Sequence, residues 1–216
     1  MDIKKEHKEM VARLLKTGED TINDLTPDAA ELLHMAVGIS GEVSELNEPL
    51  YECAVCGHSI KDKEENILEE MGDICFFIEG AMQILNRYSS TNFSTTTLID
   101  KIELSTTRLA ITLTCMEDST SLKEVFCSEF QILSISAGQF LDVVKKHAIY
   151  AKDLDLEAAM YQLGMIVYSF RFLIKFLGNT LDKCLEHNIN KLEKSNKARY
   201  KDGYSNEAAQ KRADKK

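Results

Sequence analysis

The stretch TPDAAELLHMAVGISGEVSELNE, residues 26–48, decides the fold class of this 216-residue chain. Thr26 is a typical helix cap, Pro27 suits the first helical position, and Glu31 falls in the first turns. These signals predict a long helix that begins here and ends near Pro49. The chain has only two prolines and ten glycines, which leaves little room for a turn-rich β fold and favours long helices.

Helical patterns continue on both sides of this stretch. Residues 1–20 are predicted to form one polar amphipathic helix, and a second long helix is predicted from about Glu64 through NILEEMGDICFFIEGAMQIL. YSSTNFSTTT, residues 88–97, is predicted to be a linker rich in Ser and Thr. Beyond it, helices are predicted in LIDKIELSTTRLAITLTCM (98–116), LKEVFCSEFQILSISAGQFLDVVKKH (122–147) and LEAAMYQLGMIVYSFRFLIKFL (156–177).

Composition and charge exclude several classes of partner. The formal net charge of -9 does not attract polyanions, so we expect neither nucleic acid nor an anionic membrane as a partner. No stretch approaches the length of a membrane span, and the first residues lack the apolar core of a secretory signal. The six cysteines are scattered through helical patterns, which predicts reduced thiols and a cytoplasmic location.

Two parts of the chain resemble each other. EEMGDICFF (69–77) aligns with YQLGMIVYS (161–169), and SGEVSELNE (40–48) falls near SISAGQFLD (134–142), with offsets of 92 and 94 residues. The small difference between the offsets fits a change of loop length. We therefore predict an all-α protein of roughly eight helices, in which tandem units, residues 1–90 and 98–216, pack as an intramolecular pseudo-dimer.

Four carboxylates form the candidate site: Glu42, Glu45, Glu70 and Asp73. Each pair has i, i+3 spacing and so lies on one face of its helix, and antiparallel packing of the two helices would bring all four together. Crowded carboxylates need a cation, and oxygen-only ligands select Mg²⁺ or Mn²⁺, whose usual partner is a phosphate chain. A solvated acidic face is the alternative. Apolar neighbours and Gly72 in mid-helix point to close packing, but the residues alone leave both readings open.

The pattern GEVSEL…EEMGDICFF, with 24 residues between Glu45 and Glu70, resembles the MazG-like all-α nucleoside triphosphate pyrophosphatase family. GQFLDVVKKHAIYAKDLD and NINKLEKSNKARYKDGYSNEAA resemble later segments of the same family, although the second has about four extra residues between Leu192 and Arg199. The resemblance implies magnesium-dependent cleavage of (d)NTP to (d)NMP and pyrophosphate. It also implies that the four carboxylates bind the metal and that one glutamate serves as general base.

The second copy departs from this pattern. At the positions that correspond to the four acids it has Ser136, Gln139, Gln162 and Met165, which cannot hold a hard cation. We therefore expect one active and one supporting half. The supporting half keeps polar groups that either reach the substrate triphosphate or base, or merely solvate the surface: Lys145, Lys146, Asn188, Lys191 and Arg199.

Three residues of the first half are candidates for contact with the substrate, with core packing as the alternative. They are His34 and the neighbouring rings of Phe76 and Phe77, which are candidates for stacking on a base. Cys53, Cys56 and His58 form half of a zinc knuckle without a second half, so no zinc site is expected.

Two other functions stay open: the same fold acting on phosphoribosyl-ATP or an alarmone, or a non-catalytic protein that holds a nucleotide or a partner. The duplicated chain either replaces the dimer of a single-copy relative or forms a homodimer itself.

Overall fold

A computed structural model describes residues 2–90, 92, 121–195 and 197–211, without the side chain of Lys211. The described residues are helical and contain no strand, which confirms the all-α prediction for this part of the chain. The helices are α1 (Ile3–Leu14), α2 (Gly18–Asp24), α3 (Pro27–Ala54), α4 (Ile60–Tyr88), α5 (Leu122–Val125), α6 (Gln131–Tyr150), α7 (Leu156–Phe176), α8 (Leu181–Ile189) and α9 (Asn206–Lys211). Two π-helical segments, Phe126–Phe130 and Asn190–Lys194, extend α5 and α8.

Part of the sequence prediction lies outside the described residues. The helix predicted over residues 98–116 and most of the predicted linker belong to this part, so the total number of helices stays a prediction.

The N-terminal segment is two helices and not the one predicted over residues 1–20. α1 ends at Leu14 and α2 begins at Gly18, because the Thr17 side chain accepts a hydrogen bond from the Asp20 backbone N–H and so caps a new helix. None of the residues of α1 is buried. The prediction of helix for this segment is confirmed, but the cap that divides it was missed.

The prediction that α3 ends near Pro49 is wrong, because the helix continues to Ala54. Proline inside a helix removes one backbone hydrogen bond and costs roughly 3 kcal/mol. The continuation places Leu50 and Cys53 in the core beside Pro49, and burial of these apolar groups offsets that cost.

The core lies between two helical hairpins. α3 and α4 are joined by residues 55–59, and α6 and α7 by residues 151–155, so each connection has five residues. The helices within each hairpin pack against each other, α3 packs on α6, and α4 contacts both α7 and α8. The largest fully buried side chains come from both hairpins and from the first π-helical segment, and include Leu32, Leu46, Met71, Phe130 and Phe140.

Among the described residues, none of the helices combines the length and apolar character needed to cross a bilayer.

Candidate metal centre and adjoining groove

Three glutamates converge where α3 and α4 face each other. One carboxylate oxygen from each of Glu42, Glu45 and Glu70 lies within 4.8 Å of the other two. Glu42 and Glu45 share a face of α3 because they are three residues apart, and the short connection brings Glu70 of α4 opposite them. Glu70 is buried, Glu42 is half-buried and Glu45 is exposed, so the cluster opens to solvent on the Glu45 side.

Electrostatics in this cluster favour a bound proton or cation. Burial raises the pKa of Glu42 to about 8, and the negative charges of Asp73 and Glu45 and a hydrogen bond with Glu70 contribute further. Burial, followed by the charge of Glu45, also raises the pKa of Glu70. A bound proton or cation therefore relieves the repulsion among these carboxylates.

The donor set fits a hard divalent cation. All three groups offer carboxylate oxygen, which suits Mg²⁺ and Mn²⁺ and not the softer metals. Ligands of one Mg²⁺ at about 2.1 Å lie no more than about 4.2 Å apart. Because the three oxygens already lie within 4.8 Å of one another, at most small side-chain rotations are needed to reach that distance.

Asp73, the fourth predicted ligand, is held by residues from the second half of the chain. It is buried, and its Oδ1 accepts a hydrogen bond of 2.8 Å from the Asn188 side-chain amide. Its Oδ2 accepts one of 2.5 Å from Lys191, whose Nζ also donates to Glu69 at 2.9 Å. The structure thus brings Asn188 and Lys191, both predicted to bind substrate, to the edge of the carboxylate cluster.

Lys191 carries its charge in this environment. Its side chain is 7% exposed, and burial alone would lower its pKa. The hydrogen bonds and negative charges of Asp73 and Glu69 outweigh burial and raise the pKa. A buried ammonium group therefore lies at the edge of the glutamate cluster.

The close packing of α8 on α4 explains the glycine in mid-helix. A Cβ atom at Gly72 would lie 3.0 Å from Cβ of Asn188 and 3.1 Å from the carbonyl oxygen of Cys184. The close helix approach predicted from Gly72 is confirmed. An ion pair of 2.8 Å between Lys183 and Glu64 joins the same two helices at the surface.

No family model, curated protein or solved structure matches the chain. The resemblance to MazG-like pyrophosphatases therefore stays a prediction from the motifs quoted above. What bears on function is the arrangement of the side chains themselves.

A groove of about 690 Å³ adjoins the carboxylates, between α3, α4 and α8. His34 is exposed and lines this groove, as predicted for a substrate contact. Phe77 is half-buried and lies against Gly38, where no side chain would fit, and its ring meets His34 edge-on at 5.9 Å. The adjacent Phe76, 47% exposed, lines the groove instead.

The structure does not bring Lys145 to the site. Its Nζ lies 2.9 Å from Asp142 on the same helix, and Lys146 pairs with the same carboxylate at 2.7 Å. The neighbouring His147 contacts Tyr88, at the end of α4. Tyr88 is fifteen residues beyond Asp73, about 22 Å along the helix.

Arg199 follows the second π-helical segment. Its backbone N–H donates to the Lys191 carbonyl at 3.1 Å, so its backbone lies beside the buried lysine.

Neutral groups occupy the positions that the predicted repeat aligns with the four acids. Ser136 is buried, Gln139 is exposed, and Gln162 and Met165 are half-buried. In the described part of the chain, the only group of three or more potential metal ligands is the glutamate cluster. The region of Cys53, Cys56 and His58 accordingly shows no such group.

Several groove residues were missed at the sequence level: Glu79, Gln83, Arg87, Leu185 and Ile189. A signal existed for two of them, since Glu79 and Gln83 follow Phe76 at intervals of three and four residues and so lie on the same face of α4. The residues of α8 carry no such signal, because they reach the groove only through tertiary packing.

Proposed function

We propose that this protein is a magnesium-dependent nucleotide pyrophosphohydrolase that converts (d)NTP to (d)NMP and pyrophosphate. The observation that carries the proposal is the convergence of Glu42, Glu45 and Glu70 beside a buried, charged Lys191. Acids alone would be compatible with a solvated face. Acids that crowd together, two of them partly or fully buried, with a cation next to them, are suited to a metal-bound phosphate chain.

Each group has a distinct role in this proposal. Glu42, Glu45 and Glu70 hold the cation, and Asp73 positions Asn188 and Lys191. Bound Mg²⁺ would neutralise the carboxylates and polarise the phosphate. The Lys191 ammonium and the Asn188 amide donate to phosphate oxygens as the substrate enters.

The proposed hydrolysis is an attack of water on the α-phosphorus. The oxygen of a water molecule forms a bond to the α-phosphorus, and the bond from that phosphorus to the bridging oxygen breaks. Pyrophosphate leaves with the bonding electrons. The proton of the water passes to a carboxylate of the cluster, which acts as general base.

The tandem arrangement of residues 1–90 and 98–216 is part of the proposal. It is supported by the five-residue connections of the two hairpins and by the packing of α3 on α6 and of α4 on α7, since these are the helices that the repeat aligns. In this arrangement the second unit has lost its acids and contributes Asn188 and Lys191 to the first. We place the activity in the cytoplasm, in keeping with the free state of the five described cysteines.

A turnover screen tests the function. The common NTPs and dNTPs are incubated with the protein and Mg²⁺, and the products are separated by chromatography, beside a Glu70→Gln variant. We expect monophosphate and pyrophosphate from the wild type and a loss of at least about a hundredfold in the variant, because the neutral amide replaces a buried ligand. Release of orthophosphate alone, or equal turnover by the variant, would contradict the proposal.

A further inference from the structure

The groove between α3, α4 and α8 has apolar side chains next to a pair of polar ones. It begins at Asn188, which also binds Asp73, and it follows α4 through Phe76, Glu79 and Gln83. These α4 side chains lie on successive turns, so they lead away from the carboxylates in steps of about 5 Å. A ligand whose phosphates lie at the carboxylates therefore extends its other end along Phe76 towards Glu79.

Phe76 offers a flat apolar surface one turn from Asp73. The Phe77 ring packs against Phe76 almost perpendicularly, at 5.2 Å and 87°, and Phe77 is itself fixed against Gly38. Leu185 and Ile189 of α8 also line the groove. An exposed aromatic ring held in this way, with apolar side chains in the same groove, is suited to stacking on a planar base.

The next turn of α4 provides hydrogen-bonding groups. The Gln83 amide donates a hydrogen bond of 2.9 Å to Oε1 of Glu79, which aligns the two side chains along the groove. A carboxylate has two acceptor oxygens with about four lone-pair directions, and a primary amide has two N–H donors. This pair thus presents acceptors from Glu79 next to a donor from Gln83.

We propose that the groove binds guanine, with Glu79 accepting hydrogen bonds from N1–H and N2–H and Gln83 donating to O6. This inference rests on the proposed function for the position of the phosphates. Guanine alone among the common bases carries two adjacent donors beside a carbonyl acceptor. Adenine and cytosine would turn a ring-nitrogen lone pair towards the Glu79 carboxylate, and uracil or thymine a second carbonyl oxygen.

The charged groups at the far end of the groove are paired with one another. Arg87 lies one turn beyond Gln83 and is paired with Glu31 and, at 3.3 Å, with Asp28. These ion pairs join the start of α3 to the end of α4, where Glu31 and Arg87 line the groove. Glu79 and Gln83 are the polar pair of α4 that follows Phe76 in the groove.

Binding of the four common nucleoside 5′-monophosphates, measured by calorimetry with and without Mg²⁺, tests the inference. We expect GMP to bind at least about tenfold more tightly than AMP, CMP or UMP, and Glu79→Gln to remove about tenfold of GMP affinity while leaving the others unchanged. Glu157→Gln, an exposed glutamate on α7, is the matched control and should leave every affinity as in the wild type. Equal binding of the four monophosphates, no binding, or an unchanged GMP preference in Glu79→Gln would overturn the inference.

The two proposals fail separately in this design. Turnover of nucleotides without guanine preference would leave the pyrophosphohydrolase and overturn the guanine site. Selective binding of GMP without turnover of any triphosphate would leave the guanine site and overturn the pyrophosphohydrolase. Turnover of GTP, dGTP and guanosine 3′,5′-bispyrophosphate in parallel then distinguishes the sugar and phosphate pattern that accompanies the base.

Discussion

The two helical hairpins have similar connections but handle charge in opposite ways. α3–α4 gathers three glutamates into a partly buried cluster, whereas α6–α7 has Ser136, Gln139, Gln162 and Met165 at the corresponding positions. The first hairpin is flanked by a cation, Lys191, from outside itself. The second has no comparable group of acids among the described residues. One hairpin of the bundle thus carries the electrostatic cost of crowded carboxylates, and the other does not.

The lysines of the molecule also differ in where their acidic partners lie. Lys145 and Lys146 on the second hairpin pair with Asp142 three and four residues away, at an exposed surface. Lys191 instead pairs with acids of the first hairpin that are more than a hundred positions earlier in the chain. Exposed pairs on one helix contribute little to stability, while a buried lysine is costly to remove from its partners.

Replacing the buried Lys191 and the exposed Lys145 compares the two kinds of ion pair, and the largest effect is expected here. Lys191→Ala should raise KM about tenfold, because a charge-assisted hydrogen bond to phosphate is worth roughly 1.5–3 kcal/mol. It should also lower Tm by several degrees, since Asp73 loses a cationic partner. Lys145→Ala should change neither quantity. Steady-state kinetics below both melting temperatures separate binding from folding, and an unchanged KM in Lys191→Ala would remove its role in binding.

Glycine-to-alanine substitutions compare the packing of the hairpins. Gly72→Ala should cost about 1–3 kcal/mol, because the new Cβ would press on Asn188 and on the Cys184 carbonyl. Gly138→Ala on α6 meets nothing within 4 Å and should stabilise by up to about 1 kcal/mol through helix propensity. Urea unfolding of both variants measures the difference. A stabilising Gly72→Ala would show that α8 does not lie as close to α4 as described.

The smallest effect concerns pH. The pKa of Glu42 rises from 4.5 in the unfolded chain to about 8 in the fold, so the folded state retains a proton that the unfolded state has lost between these values. Stability in EDTA should therefore fall as pH rises from about 5 to 8, which is measured as a decrease in Tm. Mg²⁺ at pH 8 should reverse the loss.

Glu42→Gln provides the control for this titration. The variant cannot titrate at this position, so its Tm should change less with pH and respond less to Mg²⁺ than the wild type. Parallel pH profiles of the two proteins would assign the effect to other groups.

Much of the fold was accessible from the sequence because its signals are local. The cap at Thr26 and Pro27 places the start of α3, and the loop before Leu156 places the start of α7. The i, i+3 spacing of Glu42 and Glu45, together with the short connection between α3 and α4, predicted that they meet Glu70. Pro49 misled the prediction because a local rule ends the helix, while burial of Leu50 and Cys53 extends it.

The rest of the site depends on long-range packing or on helix phase. Sequence did not show that Asp73 turns to Asn188 and Lys191, because that contact forms only when α8 packs across Gly72. Phe76 and Phe77 are neighbours, but a step of about 100° separates their directions on the helix, and so only one of them faces the groove. Lys145 had a visible partner in Asp142 at i, i+3, a signal that should have kept it out of the substrate site.

The contact between Asp73 and Asn188 spans 115 positions, and that between Asp73 and Lys191 spans 118. During synthesis the acids of α3 and α4 therefore leave the ribosome long before the amide and ammonium groups that face them. A chain interrupted before α8 retains every carboxylate of the cluster and lacks the cation beside it. Premature termination or cleavage in the second half would therefore yield a fragment that, under the proposed function, lacks the groups expected to contact the phosphates.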